Sequence, residues 1–282
     1  MAQIIDGKKI STQIKDEVKE QVAALKQKGI DVTLAVIQIG KDPASTVYVG
    51  NKKKACKYVG IRSLAYELPE ETSEQELLEL VQSLNAKEDV DGILVQLPLP
   101  KHIDEDKVIR TISPDKDVDG FHPESVGRLS IGQPGFVSCT PAGIIQLLKR
   151  SGITIDGKEC VIIGRSNIVG KPMGMLLLRE NGTVTICHSH TPDLKTVAKR
   201  ADILVVAIGK AKFVDASYVK DGAAVIDVGM DRDENGKLCG DVDFASVEPV
   251  AGAITPVPGG VGPMTIAMLM NNCVESAQRK HC

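Results

Sequence analysis

VIIGRSNIVGKP, residues 161–172, is an apolar run that ends on a glycine and passes through a polar turn into a second glycine, a lysine and a proline. A short continuous apolar run suits a strand buried on both faces, and the glycine that closes it suits the tight turn by which such a strand feeds a helix. The same kind of run recurs downstream, as TVTIC at 183–187, ILVVAIG at 203–209 and AAVIDVG at 223–229, with helical intervals between most of them. Strands of this type alternating with helices predict a doubly wound parallel sheet covered on both faces.

The turn itself narrows the ligand. Gly164 and Gly170 are six residues apart, which fits neither G-x-G-x-x-G nor a P-loop, and Pro172 follows Lys171 where a P-loop carries Ser or Thr. ATP cleavage loses its support. A turn between strand and helix still suits a dinucleotide phosphate, although a tight structural turn has the same outline. The next strand ends in CHSH, 187–190, where an NAD-selective site carries an acidic residue for the ribose hydroxyls. Ser189 offers a neutral donor instead and Arg165 a planar fork for a phosphate, a pairing that favours NADP.

The amino-terminal half alternates in the same way. Ile10, Ile14, Val18, Val22 and Leu25 repeat at helical spacing up to Gly29. A strand at Thr33–Ile39, a second helix, a strand at 64–68, an acidic helix at 73–85 and the run GILVQL at 92–97 follow. A loop region at 113–141 leads to a helix at 142–149 and the second series. Ile266, Leu269, Met270, Cys273, Val274 and Ala277 form a closing helical stripe, expected to return to the first domain. The expected division is therefore 1–139 joined by 264–282, and 140–263.

At 282 residues the chain is long enough for two cores, and a net charge of −3 argues against a general field for nucleic acid or anionic membrane. Small molecules are the expected partners. The opening MAQIIDGKKI lacks the apolar core of a signal peptide, and seven cysteines without a C-x-x-C pair suggest a reducing, cytoplasmic setting. Cys187, His188 and His190 lie close in sequence, but no complementary ligands stand elsewhere, so no metal is expected.

YVGNKKKACKYVGI, 48–61, places three lysines in a row on a helix. At about 100° per residue, Lys52 lies about 40° from Tyr48 and shares an arc with Ala55, Cys56 and Val59. Lys53 and Lys54 point to the opposite side. Lys52 is then either a lysine at the edge of the apolar stripe with its ammonium turned outwards or a functional one. GILVQLPLP sets Gln96 at the carboxyl end of a strand, where α/β ligand crevices form. PDKDVDGFHP, 114–123, begins like a calcium loop, with Asp115, Asp117, Asp119 and Gly120. It fails where Val126 replaces the bidentate Glu, and reads better as a carboxylate turn. TPVPGGVGP, 255–263, is a stiff loop whose backbone can approach a flat ligand.

In order and over the whole length, YVGNKKKACKYVGI, GILVQLPLP, PDKDVDGFHP, GRSNIVGKPM and ITPVPGGVGPMT closely resemble the bifunctional methylenetetrahydrofolate dehydrogenase/cyclohydrolase family. The resemblance implies two α/β domains, a folate domain and a Rossmann-like NADP domain, with an active-site cleft between them. It implies that Tyr48 stacks on the folate, that Lys52 is the catalytic lysine supported by Gln96, and that Asp119 holds the pterin edge. Gly164, Arg165, Ser166 and Ser189 match cofactor-contacting positions, and Met230 stands near the nicotinamide where relatives often carry Ile. It further implies a homodimer in one-carbon metabolism, oxidising 5,10-methylenetetrahydrofolate with NADP and hydrolysing the product to 10-formyltetrahydrofolate. A desolvated lysine beside a cationic substrate is suited to the proton movement of that second step. Two other readings share the outline: a shikimate-type NADP dehydrogenase, and a folate-binding or NADP-sensing protein without chemistry.

Overall fold

The computed structural model describes residues 1–281, the side chains of 43 and 44 apart. In chain order the first elements are β1 (Gln3–Ile4), α1 (Gly7–Gln27), β2 (Thr33–Ile39), α2 (Pro43–Val59), β3 (Arg62–Leu68), α3 (Glu74–Ala86), β4 (Gly92–Val95), α4 (Glu105–Thr111) and α5 (Pro123–Ser130). The later ones are α6 (Cys139–Arg150), β5 (Glu159–Ile163), α7 (Gly170–Arg179), β6 (Thr183–Cys187), α8 (Leu194–Ala198), β7 (Ile203–Val206), β8 (Ala224–Asp227), β9 (Asp231–Arg232), β10 (Leu238–Cys239), α9 (Phe244–Val247), β11 (Ala253–Ile254) and α10 (Val261–His281). Contacts divide the chain into two compact units, 12–137 with 266–282, and 1–11 with 138–265.

The unit formed by 12–137 and 266–282 is built on a parallel sheet in the order β3-β2-β4. Every residue of β2, TLAVIQI, is buried, as its continuous apolar character requires of a central strand. The edge strand β3 is only partly covered. Ser73 and Glu76 start α3 with a reciprocal capping box, and its Leu77, Leu78, Val81 and Leu84 pack with Ala35, Ile37 and Ile93 of the sheet. Each such buried side chain contributes about 1.5–3 kcal/mol. The carboxyl-terminal part of α10 is tied to the same unit by side-chain bonds. Asn272 Nδ2 donates to the carbonyls of Val118 (2.9 Å) and Val137 (3.2 Å), and Ser276 Oγ to those of Asp91 (2.6 Å) and Asp115 (2.9 Å).

The other unit carries a six-stranded parallel sheet in the order β1-β11-β8-β7-β5-β6. Val161, Ile163, Leu204, Val206 and Val225 are among its fully covered residues, and Gly174 lets α7 sit against Ile186 of β6. Here the amino terminus departs from the expected division. Gln3 and Ile4 pair with Ala253 and Ile254, so residues 1–11 group with this sheet and not with 12–137. Two-residue strands leave no periodicity to read. The loop expected at 113–141 also contains α5, whose start is marked by Pro123 and Glu124 in its first turn. Between β7 and β8 a single 3-10 turn, Ala216–Tyr218, replaces an α-helix.

Candidate active site

In the unit of 12–137, helix α2 divides its lysines by face. Val49, Ala55, Cys56 and Val59 are buried, and Lys52 is buried with them at 6% exposure. Lys53 instead pairs with Glu67 at 2.6 Å on the outer side, and Lys54 is exposed. A buried ammonium requires an acceptor, and Lys52 Nζ donates to Gln96 Oε1 at 3.0 Å. The amide is fixed for this purpose: Gln96 Nε2 donates to the carbonyl of Leu97 (2.6 Å), leaving Oε1 for the lysine. The Gln96 N–H donates to the carbonyl of Ile37 (2.8 Å), extending the β2–β4 ladder past β4. Burial pushes the neighbouring Cys56 thiol up to about 11, so it stays protonated. Tyr48, one turn before Lys52, is half-buried, and burial raises its phenol above the usual range. Lys53→Met and Lys54→Met are expected to leave the chemistry of this face within about twofold of wild type, since an exposed pair such as Lys53–Glu67 is worth only about 0–1 kcal/mol.

Asp119 lines a small cavity with Ile93, Leu97, Val108 and Asp117, in the loop that continues from Ile93's bridge to Asp117. The loop takes its shape from Asp117, the carboxylate that closes the turn. Its buried carboxylate accepts from the N–H of Phe121 (3.2 Å), the N–H of His122 (2.8 Å) and the Ser125 hydroxyl (2.8 Å). Burial outweighs these donors and pushes its carboxyl up to about 6. Pro123 then begins α5, with His122 Nδ1 accepting from the Glu124 N–H (3.1 Å). Asp117→Ala leaves buried donors without an acceptor, at about 1–3 kcal/mol for each group. A lower urea midpoint with an unchanged slope is the expected result; an unchanged midpoint rejects this account of the loop.

In the other unit the β5–α7 turn depends on both glycines. Gly164 has φ +131°, and a Cβ there would stand 2.2 Å from the Ala207 carbonyl oxygen. A Cβ on Gly170 would stand 2.2 Å from the Gly164 carbonyl oxygen. The cradle thus admits only backbone. The first N–H groups of α7 are largely engaged within the turn, not left open to a phosphate. Ser166 Oγ accepts from the N–H groups of Val169 (3.1 Å) and Gly170 (3.3 Å), and the Lys171 N–H donates to the Ser166 carbonyl (3.0 Å). The surface left open to an anion is the exposed loop 165–168 ahead of the helix.

Arg165 and Ser189 follow neighbouring strands in register. Ile163 of β5 pairs with Cys187 of β6, and each of the two polar residues lies two positions past its member of that pair. The turn after β6 closes on itself, with the His188 N–H donating to Thr191 Oγ1 (2.9 Å) and the His190 N–H to His188 Nδ1 (3.1 Å). Ser189 is left exposed. These residues fit a phosphorylated dinucleotide: a guanidinium and a hydroxyl on adjacent strand ends beside a glycine cradle. Met230, 47% exposed, follows β8, and its Sδ lies 3.9 Å from where a Cβ on Gly262 would stand. Among the described residues no group of three His, Cys, Asp or Glu side chains is arranged to hold a metal ion.

Residues 5–119 match the family described as tetrahydrofolate dehydrogenase/cyclohydrolase, catalytic domain, and residues 138–281 match its NAD(P)-binding domain. The chain belongs to the tetrahydrofolate dehydrogenase/cyclohydrolase family. It is 74% identical over 279 residues to the bifunctional protein FolD of Lachnoclostridium phytofermentans, with 99% of each chain covered. The crystal structure of the bifunctional FolD methylenetetrahydrofolate dehydrogenase/cyclohydrolase of Campylobacter jejuni is similar at 50% identity and a TM-score of 0.97, covering 99% of both chains. The Trypanosoma brucei methylenetetrahydrofolate dehydrogenase-cyclohydrolase, complexed with NADP and an inhibitor, is similar at 40% identity and a TM-score of 0.94, covering 99% of this chain and 98% of that one. Within the family, Tyr48, Lys52, Gln96 and Asp119 fall in the catalytic-domain match. Gly164, Arg165, Ser166, Ser189 and Met230 fall in the NAD(P)-binding match.

Proposed function

We propose that this chain oxidises 5,10-methylenetetrahydrofolate with NADP and hydrolyses the 5,10-methenyl product to 10-formyltetrahydrofolate. The observation that carries the reading is Lys52, buried on the apolar face of α2 and held by an oriented Gln96 amide, within a chain of this family. NADP, when bound, supplies the acceptor for the hydride that leaves the methylene carbon. The substrate's own nitrogens stabilise the cation that results, so the protein's part in that step is to hold and orient. Ring opening asks more. Water adds to the methenyl carbon and releases one proton to solvent; the remaining O–H proton is taken up as the carbonyl forms and the bond from that carbon to N5 breaks, and it is handed to N5. The amine of Lys52 gives and takes that proton, and Gln96 Oε1 fixes the Nζ position. Tyr48 offers its ring to the flat folate from the same face of α2, and the Asp119 carboxylate takes the hydrogen-bond donors of the pterin edge.

Substrate carrying deuterium on the methylene bridge tests the first step. Deuterium appearing in NADPH supports it, and NADPH formed without the label rejects it. Asp119→Ala is expected to raise the Michaelis constant for folate about tenfold or more, the size of a lost charged hydrogen bond, and to depress both activities. The NADP constant is expected to hold, and added calcium to change neither. Specific calcium binding that Asp119→Ala abolishes contradicts this role. We infer in addition a homodimer working in the cytoplasm on small-molecule folates, without nucleic acid or membrane. Sedimentation at twice the 30.1 kDa chain mass supports the dimer, and sedimentation at 30.1 kDa rejects it.

A further inference from the structure

Two buried aspartates of the NAD(P)-binding unit stand outside the site described above. Asp227 ends β8, and Asp241 lies just past β10. Asp227 Oδ1 accepts from the N–H groups of Gly229 (3.0 Å) and Asp241 (2.9 Å), and Oδ2 from that of Val242 (3.0 Å). Its own N–H donates to Thr255 Oγ1 at 2.8 Å. Asp241 in turn accepts from the N–H groups of Ile208 (2.7 Å) and Lys210 (2.6 Å). The two carboxylates therefore connect the loops that follow β7, β8 and β10, and the Asp227 N–H adds the one that follows β11.

The surrounding backbone is shaped to admit them. A Cβ on Gly240 would stand 2.0 Å from Asp227 Oδ2, and one on Gly229 would stand 2.3 Å from the Asp241 nitrogen. Burial pushes the Asp227 carboxyl up to about 7 against the pull of its three N–H donors. A buried carboxylate is an expensive way to hold a loop where an apolar side chain would pack. What it adds is direction, since it sets several backbone groups at once. The loops it sets lie at the carboxyl ends of parallel strands, where ligands of doubly wound sheets bind. One of them carries the exposed Met230.

We propose that Asp227 and Asp241 act as a clasp of positioning residues, holding the loops after β7, β8 and β11 in the arrangement that orients the nicotinamide half of NADP for hydride transfer. The proposal rests on the reading of Met230 as the nicotinamide side. The clasp acts on one of the two reactions, because hydrolysis of supplied methenyl-tetrahydrofolate needs no hydride acceptor.

Asp227→Asn and Asp241→Asn each replace an acceptor oxygen by an NH2 that faces N–H donors. Both full-length variants are to be assayed for NADP reduction and, separately and without NADP, for hydrolysis of methenyl-tetrahydrofolate. A misplaced reacting group loses about tenfold to a hundredfold in rate, so the dehydrogenase kcat is expected to fall by that factor. The Michaelis constant for NADP is expected to stay within about threefold, because Arg165 and Ser189 still grip the far end of the cofactor, and hydrolysis to stay within about twofold. Where an Asn variant fails to fold, Thr255→Val removes only the acceptor of the Asp227 N–H and is expected to lower the dehydrogenase kcat alone, by about threefold. Parallel loss of both activities in folded variants marks a merely structural role and overturns the proposal, as does an unchanged dehydrogenase kcat. Wild-type protein that forms no NADPH removes the proposed function itself, before any variant is compared.

Discussion

Replacing Lys52 by Met is expected to lower cyclohydrolase activity by at least about a hundredfold, the loss typical of a missing general acid–base group, while dehydrogenase activity falls much less. The two steps differ in what they ask of the protein. Hydride transfer depends on how the folate is held against its acceptor, whereas ring opening needs a side chain that gives and takes a proton. Methionine keeps most of the length and the apolar stem of Lys52 on the buried face it shares with Ala55, Cys56 and Val59, and removes only the titratable amine. The folate face should therefore survive, and methenyl-tetrahydrofolate should accumulate as it is formed and not consumed. Gln96 is left with an unoccupied acceptor oxygen at a half-buried position, a smaller loss that water can cover. Rates of NADPH formation and methenyl hydrolysis, measured side by side, decide the matter. Undiminished hydrolysis in Lys52→Met makes the lysine a packing residue.

Arg165→Ala is expected to erase most of the preference for NADP over NAD. A guanidinium on a phosphate forms charge-assisted bonds worth about 1.5–3 kcal/mol, which corresponds to one or two orders of magnitude in affinity. The register of Ile163 with Cys187 sets Arg165 and Ser189 at matching positions on adjacent strand ends, so both can address one phosphate. The Michaelis constant for NADP should rise by that factor and the constant for NAD should hardly move. Equal losses with both cofactors show that Arg165 serves the turn and not the phosphate. Because the Ser166 hydroxyl is engaged with the start of α7, the loop is expected to hold the cofactor mainly through Arg165 and exposed backbone, so that Ser166→Ala disturbs the turn more than the NADP preference.

How far the sequence reaches is visible in particular residues. The face of Lys52 was legible because α2 follows the 3.6-residue period, and Val49, Cys56 and Val59 mark the buried side. The location of Gln96 was legible too, at the end of an apolar run. That the two meet at 3.0 Å was not, since the distance depends on how α2 packs beside the β2–β4 ladder. Apolar strands such as β2, β5 and β7 announce themselves, whereas β1 and β11 are two residues each and carry no pattern alone. Helix α5 is short and holds a glycine, so its period was too brief to read even though Pro123 and Glu124 mark its start. Asp227 and Asp241 were missed for a common reason: each gathers backbone N–H groups from other segments, and no spacing rule reports that, whereas the local turn around Asp117 was legible in PDKDVDGFHP. A trace did exist in AAVIDVG, where one acid interrupts an apolar strand and a glycine follows two residues later. A buried acid in such a setting needs donors, and the glycine gives room for them.

The central claim is that one chain carries methylenetetrahydrofolate through oxidation and then hydrolysis. Purified wild-type protein supplied with 5,10-methylenetetrahydrofolate and NADP tests it in a single reaction in which NADPH, the methenyl compound and 10-formyltetrahydrofolate are followed together. The account predicts NADPH and 10-formyltetrahydrofolate rising in equal amounts, faster than spontaneous hydrolysis of the methenyl compound allows. NADPH that rises while the methenyl compound decays only at the protein-free rate, or no NADPH at all, contradicts it.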